Sequence, residues 1–466
     1  MMMLPKFLVG IQHLTSRIPH KQPTLEQDGD CMVLTFPRPE YSDRQSAFLR
    51  QLPNDSLVLI PTNPKSVRSN DTHFPFRANS YMIYLCDWNE PESVWMAHNS
   101  GGVWETTLFV LPRDTKAEIW EGRRAGPEGA AKHWPVDNAK SIKELSEVIS
   151  PLLEDCSIVF SIAGLNSEID TLLHDSDVEI ANPRKHLDKL RTIKSKAEIE
   201  IMQESAELAS QAHILAMRKA SPGVGEWQLQ SMIESYFSSN QAQWAYPSIV
   251  GGGDNAAILH YNSNQEPVND GDLVLIDAGC EVRGYASDIT RTWPVNGKFT
   301  DAQREIYDLV LKSQIAAIQA CQAGARWIEF HDAASKVIAQ GLIDLGILEC
   351  TLDEAIGDPN EFNGPYRNYF MHGTGHFLGL DVHDVGGGRQ GDDDPGPELK
   401  PGMVVTVEPG LYFGSWRTDV HIPERYAGIG VRIEDDVLIT EDGPVVLTSS
   451  CPKEISELES IIGQSG

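Results

Sequence analysis

Short apolar runs alternate with helix-length stretches between about Pro39 and Leu190. Ser56–Pro61, Tyr81–Cys86, Thr107–Leu111 and Ser157–Ile162 are rich in β-branched or aromatic residues and bounded by Pro, Asn or Gly, the pattern of strands. Ser141–Leu153 has helical spacing. Pro183–Lys196 is basic and poor in apolar residues, the composition of a linker. Beyond it Ser195 and Glu198 form a capping box, and Ile199, Met202, Ala206, Ala209 and His213 recur at helical spacing. A second helix is predicted over Trp227–Phe237, and Thr300 with Gln303 starts a third. Strands with embedded carboxylates follow at Leu273–Ala278, Tyr285–Trp293, Met403–Glu408 and Gly430–Thr440. The expected organisation is an extension over 1–38, an N-terminal α/β domain over 39–190 and a larger α+β domain over 191–466.

The acids inside apolar runs need a reason to be there. Asp277 ends Leu-Val-Leu-Ile-Asp, and a buried lone carboxylate costs several kcal/mol unless paired, hydrogen-bonded or metal-bound. Asp288 follows eleven residues later with Gly279 and Gly284 between, so a turn can bring the two side by side. Their repulsion would be relieved by a shared cation. Glu408 (Val-Val-Thr-Val-Glu) and Glu434 (Val-Arg-Ile-Glu) repeat the theme. Arg432 and Glu434 are two apart and share a strand face, so Arg432 is placed to steady a ligating carboxylate. The plain alternatives are a turn-capping Asp and a surface ion pair.

His372, His376 and His383 fall within twelve residues, and His260 sits in Ile-Leu-His-Tyr. The His372/His376 spacing imitates a zinc-protease helix, but Gly373 stands where the base would be and Gly375 adds a second helix breaker. Loop and strand are expected there instead. Four carboxylates with histidine form an oxygen-rich set suited to hard or borderline divalent ions, with charge enough for two. These residues read as a dinuclear metallohydrolase.

Composition narrows the partners. The 466 residues carry 67 acidic against 38 basic side chains, a net charge of −29, so no nucleic acid and no anionic membrane is expected as partner. No apolar run approaches the ~20 residues of a membrane span. The 7 cysteines are scattered without a C-x-x-C pair, which favours a reducing, cytoplasmic setting. Lys6, Arg17 and Lys21 precede the first acid, Glu26; an organelle-targeting leader is the alternative for this end. No G-x-S-x-G nucleophile elbow occurs.

Five linked stretches, Ile258–Tyr261, Asp272–Thr300, Met371–Gly386, Pro401–Leu411 and Gly428–Thr440, together resemble the aminopeptidase P family of pita-bread metallopeptidases. Phe74–Glu92 and Glu118–Arg124 resemble that family's N-terminal domain. The resemblance implies two divalent ions, Mn²⁺ first among them, on Asp277, Asp288, His376, Glu408 and Glu434. It implies attack by a metal-bridging hydroxide on the carbonyl before a proline, with Glu408 handling the proton. His372 and His383 correspond to residues that stabilise the intermediate or orient substrate, His260 and Tyr246 to substrate-binding residues, and Arg389 to a substrate-contacting arginine. Peptides beginning X-Pro are the implied substrates, and a homodimer or homotetramer the implied assembly. The nearest alternative is prolidase, restricted to X-Pro dipeptides; a remoter one is a non-catalytic peptide-binding relative.

Overall fold

The computed structural model describes residues 34–358, 363–388 and 394–464. The extension over 1–38, apart from Leu34–Arg38, and Arg389 lie outside the described residues.

The first half folds around a six-stranded mixed sheet. Its spatial order is Asn138–Ser141, Val103–Val110, Val94–Ser100, Ser56–Pro61, Ile158–Ser161 and Glu179–Ala181. Ser56–Pro61 is buried along its whole length because both faces are covered. Leu57 and Leu59 face a cluster with Ile149, Val159 and Ile169, while Val58 and Ile60 alternate to the opposite core.

Two expectations fail in this half. Tyr81–Cys86 is not a strand but part of a helix, Ser80–Cys86. The Asn79 side chain accepts the N–H groups of Tyr81 and Met82, and Asp87 ends the turn at φ 57°, so capping and burial of Met82, Leu85 and Cys86 override β propensity. Pro183–Lys196 is not an open linker either. Arg184–Thr192 is helical, with Leu187 and Arg191 buried. Its few apolar residues lie on one face, and an arginine does part of the packing.

In the second half the capping boxes hold: Lys196–Lys219 starts from Ser195 and Asp301–Ala320 from Thr300. Glu226–Ser239 and Trp327–Asp344 complete the long helices. They pack around small antiparallel sheets. One runs Ile249–Gly252, Leu273–Asp277, Thr290–Pro294; another runs Val404–Val407, Asp435–Thr440, Gly443–Val446; Gly410–Phe413 pairs with Ile429–Arg432.

Two predicted strands are broken where the chemistry sits. Tyr285–Trp293 divides into Tyr285–Ala286 and Thr290–Pro294, leaving Asp288 in the gap. Gly430–Thr440 divides around Ile433 and Glu434. At the first break the chain presses on Gly279, where a Cβ would lie 1.8 Å from the Ser287 carbonyl oxygen, so only glycine fits. The Asp288 N–H is turned out of the ladder onto the Asp436 carboxylate (3.2 Å).

Candidate metal centre and active site

Strand ends and one loop converge on a cavity of about 500 Å³. Leu273–Asp277 pairs antiparallel with Thr290–Pro294, with Asp277 opposite Thr290, so Asp277 and Asp288 emerge at the same end of the sheet. Glu408 lies one residue past Val404–Val407, and Glu434 lies in the break before Asp435–Thr440. His376 arrives on the loop from Met371 to Asp384, which is not helical. That loop is tied to the neighbouring strand by Thr406 N–H to His376 O (2.8 Å) and Glu408 N–H to Thr374 O (2.8 Å). A Cβ at Gly375 would lie 2.0 Å from the Thr406 oxygen, which explains the glycine.

His376 Nε2 is 3.4 Å from Asp288 Oδ2 and 3.8 Å from Glu408 Oε1. One ligand atom from each of Asp288, His376 and Glu434 lies within 4.8 Å of the others. Tyr246 points its phenol at Asp277 (2.7 Å) and at Asp288, and with one proton it donates to one at a time. Arg432 is buried rather than in a surface pair. It donates to Asp277 Oδ2 (2.6 Å), Thr290 Oγ1 (3.1 Å) and the Tyr412 hydroxyl (3.2 Å). Thr290 in turn donates to Glu434 Oε2 (2.6 Å). One guanidinium thus orients Asp277 directly and Glu434 through a hydroxyl.

Burial and mutual repulsion push Glu434 well above the usual carboxylate range, with Asp288, Glu408 and Asp277 as the repelling charges. Burial also raises Asp277 against the pull of Arg432, and brings Glu408 to about 7. Burial works against a charged His376, but its hydrogen bond and charge contact with Asp288, with Glu408 beyond, lift it to about 9. Burial and then the Arg432 charge hold His372 down at about 3. That neutral ring is engaged on both sides, with Nδ1 on Gly373 O (2.7 Å) and Nε2 on the Tyr412 hydroxyl (2.7 Å). A carbonyl can only accept, so Nδ1 carries the hydrogen and Nε2 accepts from Tyr412.

The donor set fits divalent cations. Four carboxylates and an imidazole meet with Arg432 as the adjoining cation, and oxygen-rich sets select hard or borderline ions. His260, Tyr246, His372 and His383 line the same cavity, so the structure brings together every predicted site residue that it describes. Sequence reasoning missed Thr290, Tyr412 and Asp436. Thr290 and Tyr412 lie within four residues of predicted ligands, but no periodicity marks a hydroxyl that works through a neighbour.

Over residues 200–441 the chain matches the description Metallopeptidase family M24. Residues 41–160 match Aminopeptidase P, N-terminal domain. The chain belongs to the M24 metallopeptidases, in the group that carries the aminopeptidase P N-terminal domain ahead of the pita-bread domain. A Xaa-Pro aminopeptidase of Haemophilus influenzae is 42% identical over 431 residues, covering 92% of this chain and 98% of its own. An Escherichia coli aminopeptidase P solved with the inhibitor Pro-Leu superposes with a TM-score of 0.86 at 39% identity, over 91% of this chain and 98% of that one. The zinc-substituted E. coli enzyme in complex with product gives the same TM-score of 0.86 at 39% identity and the same coverage, 91% and 98%.

Proposed function

We propose that this chain is a metal-dependent aminopeptidase that releases the N-terminal residue from peptides with proline in second position. The observation that carries the reading is the convergence of Asp277, Asp288, His376, Glu408 and Glu434 on one cavity. Likeness to Xaa-Pro aminopeptidases over nearly the whole chain favours this over prolidase. These five residues would hold two divalent ions, Mn²⁺ foremost, which supply Lewis acidity and lower the pKa of water beside them.

The chain's own groups do the rest. Glu408, whose carboxylate lies on the cavity within 3.8 Å of His376 Nε2, takes a proton from the attacking water and returns it to the proline nitrogen. That nitrogen belongs to a tertiary amide with no hydrogen to donate, so it must be recognised by shape and protonated on departure. Arg432, Thr290 and Tyr246 fix the carboxylates. His383, whose ring lies 4.2 Å from that of His376, stands at the cavity wall to orient the substrate. His260 and Tyr246 flank the bound peptide, with Arg389 as the remaining candidate for a substrate contact. His372, locked by Tyr412 and Gly373, is held in place to stabilise the intermediate or orient the substrate.

We place the domain boundary at 190/191, the protein in the cytoplasm and the assembly as a homodimer or homotetramer. No helix among the described residues is long and apolar enough to cross a membrane. Incubating metal-loaded protein with Arg-Pro-Pro and with Ala-Pro tests the function. Release of arginine from the tripeptide is expected; cleavage of the dipeptide alone would make the protein a prolidase.

A further inference from the structure

We infer that the buried Asp384, clamped between Arg191 and Lys194, is a positioning residue that sets where the neighbouring His383 stands in the active site. Asp384 receives Arg191 Nη2 on Oδ1 (2.6 Å) and Lys194 Nζ on Oδ2 (3.0 Å). The three side chains are 1%, 2% and 1% exposed for Asp384, Arg191 and Lys194. Burying such a set costs desolvation and adds little net stability, so its use is to specify geometry. His383 immediately precedes Asp384 in the chain, and its ring lies 4.2 Å from that of His376.

The clamp does not belong to the loop it holds. Arg191 lies in the last turn of the helix Arg184–Thr192 that connects the two domains, and the same guanidinium nitrogen also reaches Asp381 Oδ2 (2.7 Å). From the first domain, Ser80 donates to Asp381 Oδ1 (2.6 Å), and Arg77 donates to Leu380 O (2.6 Å) while pairing with Glu281 (2.6 Å). The Tyr81 ring stacks under Arg191 at 4.8 Å. Opposite, a Cβ on Gly379 would fall 2.2 Å from Asp384 Oδ2, so the carboxylate sits flush on the backbone. Three sides of the segment Leu380–Asp384 are thus fixed by the first domain and the connecting helix. The first domain acts on the catalytic cavity through this contact.

The inference rests on the proposed peptidase activity, and the test separates the two. Asp384→Asn and Arg191→Lys are made alone and together with His383→Ala, then assayed on Arg-Pro-Pro with metal content checked. Displacing a catalytic group by ~1 Å costs on the order of 100-fold in kcat, the expected size for Asp384→Asn, with KM and metal content little changed. Combined with His383→Ala, the same substitution should cost no more than the ~2-fold scatter of independent sites. Equal losses in both backgrounds would overturn the inference. Arg191→Lys keeps the charge and serves if Asp384→Asn does not fold. A readout without turnover is the His383 imidazole NMR signal of the protein loaded with diamagnetic Zn²⁺. It should shift or broaden in either variant, and an unmoved signal overturns the clamp even if wild-type protein proves inactive. Inactive metal-loaded wild type would sink the peptidase reading alone.

Discussion

Glu434 and Asp435 are sequence neighbours, both fully enclosed, and their electrostatics are opposite. Glu434 faces Asp288, Glu408 and Asp277 and is pushed far up. Burial would raise Asp435 as well, but Arg291 and Lys453 overcome it and bring the carboxyl down to about 2. Arg291 Nη2 donates to Asp435 Oδ1 (2.7 Å), Lys453 Nζ to Oδ2 (2.6 Å), and Thr448 and Gln314 add hydrogen bonds. One acid is neutralised by the protein's own cations. The other is left in a pool of like charge that an external cation must settle. For these two neighbours it is the counter-charge, not burial, that separates the structural carboxylate from the proposed metal ligand, since both are buried.

The largest expected effect breaks the metal side of the pair. Glu434→Gln should lower activity by more than the ~10–100-fold typical of residues that only support a ligand, and should lower metal content. Stability of the metal-free protein should hold or rise, because one repelling charge is gone. Retained activity and metal would remove Glu434 from the centre.

Asp435→Asn breaks the structural side. It strands the buried Arg291, and the expected cost is about 3–5 kcal/mol in urea unfolding with no change in the metal requirement. A loss of metal without a loss of stability would reverse the assignment of the two neighbours.

His213 sharpens the comparison, being buried with no counter-charge in contact. Burial pulls it from 6.5 down to about 4, and Nε2 meets Ala278 O at 2.9 Å. The unfolded chain therefore binds more protons between these values. His213 subtracts nothing above about pH 6.5, and stability falls as the pH drops from there towards 4, by at most about 3 kcal/mol. His213→Gln keeps a donor for Ala278 and should flatten this slope in denaturant melts at pH 7 and 4.5. Parallel slopes for the two proteins would contradict it.

Thr290→Val should have the smallest effect, about 10-fold on activity, since it removes the hydroxyl link between Arg432 and Glu434 but no ligand. Loss as large as that of Glu434→Gln would mean that Thr290 does more than orient.

Much of this was legible in the chain. An acid at the end of a continuous apolar run, as at Asp277, conflicts with burial unless something pairs it, and the conflict itself marked the ligands. Arg432 followed from strand periodicity. The helices announced by Ser195 and Thr300 formed because capping is local chemistry. What failed was set by tertiary context. Ser80–Cys86 looked extended until Asn79 capped it, and Arg184–Thr192 looked open because its buried face uses Arg191 in place of an aliphatic residue. The breaks that free Asp288 and Glu434 depend on Gly279 pressing against Ser287 and on Glu434 N–H bonding Thr290 O (3.0 Å), contacts between segments distant in sequence. Asp435 and Asp436 were indistinguishable from Glu434 by pattern, because only the folded chain shows which of them meets Arg291.

The central claim is that the four carboxylates gathered on this cavity, which share Arg432 as their adjoining protein cation, exist to hold catalytic cations. Chelating the protein, then titrating Mn²⁺ back while following release of arginine from Arg-Pro-Pro, tests it most directly. Activity should vanish on chelation and return in step with bound metal, saturating at two ions per chain. Full activity in the metal-free protein would contradict the account.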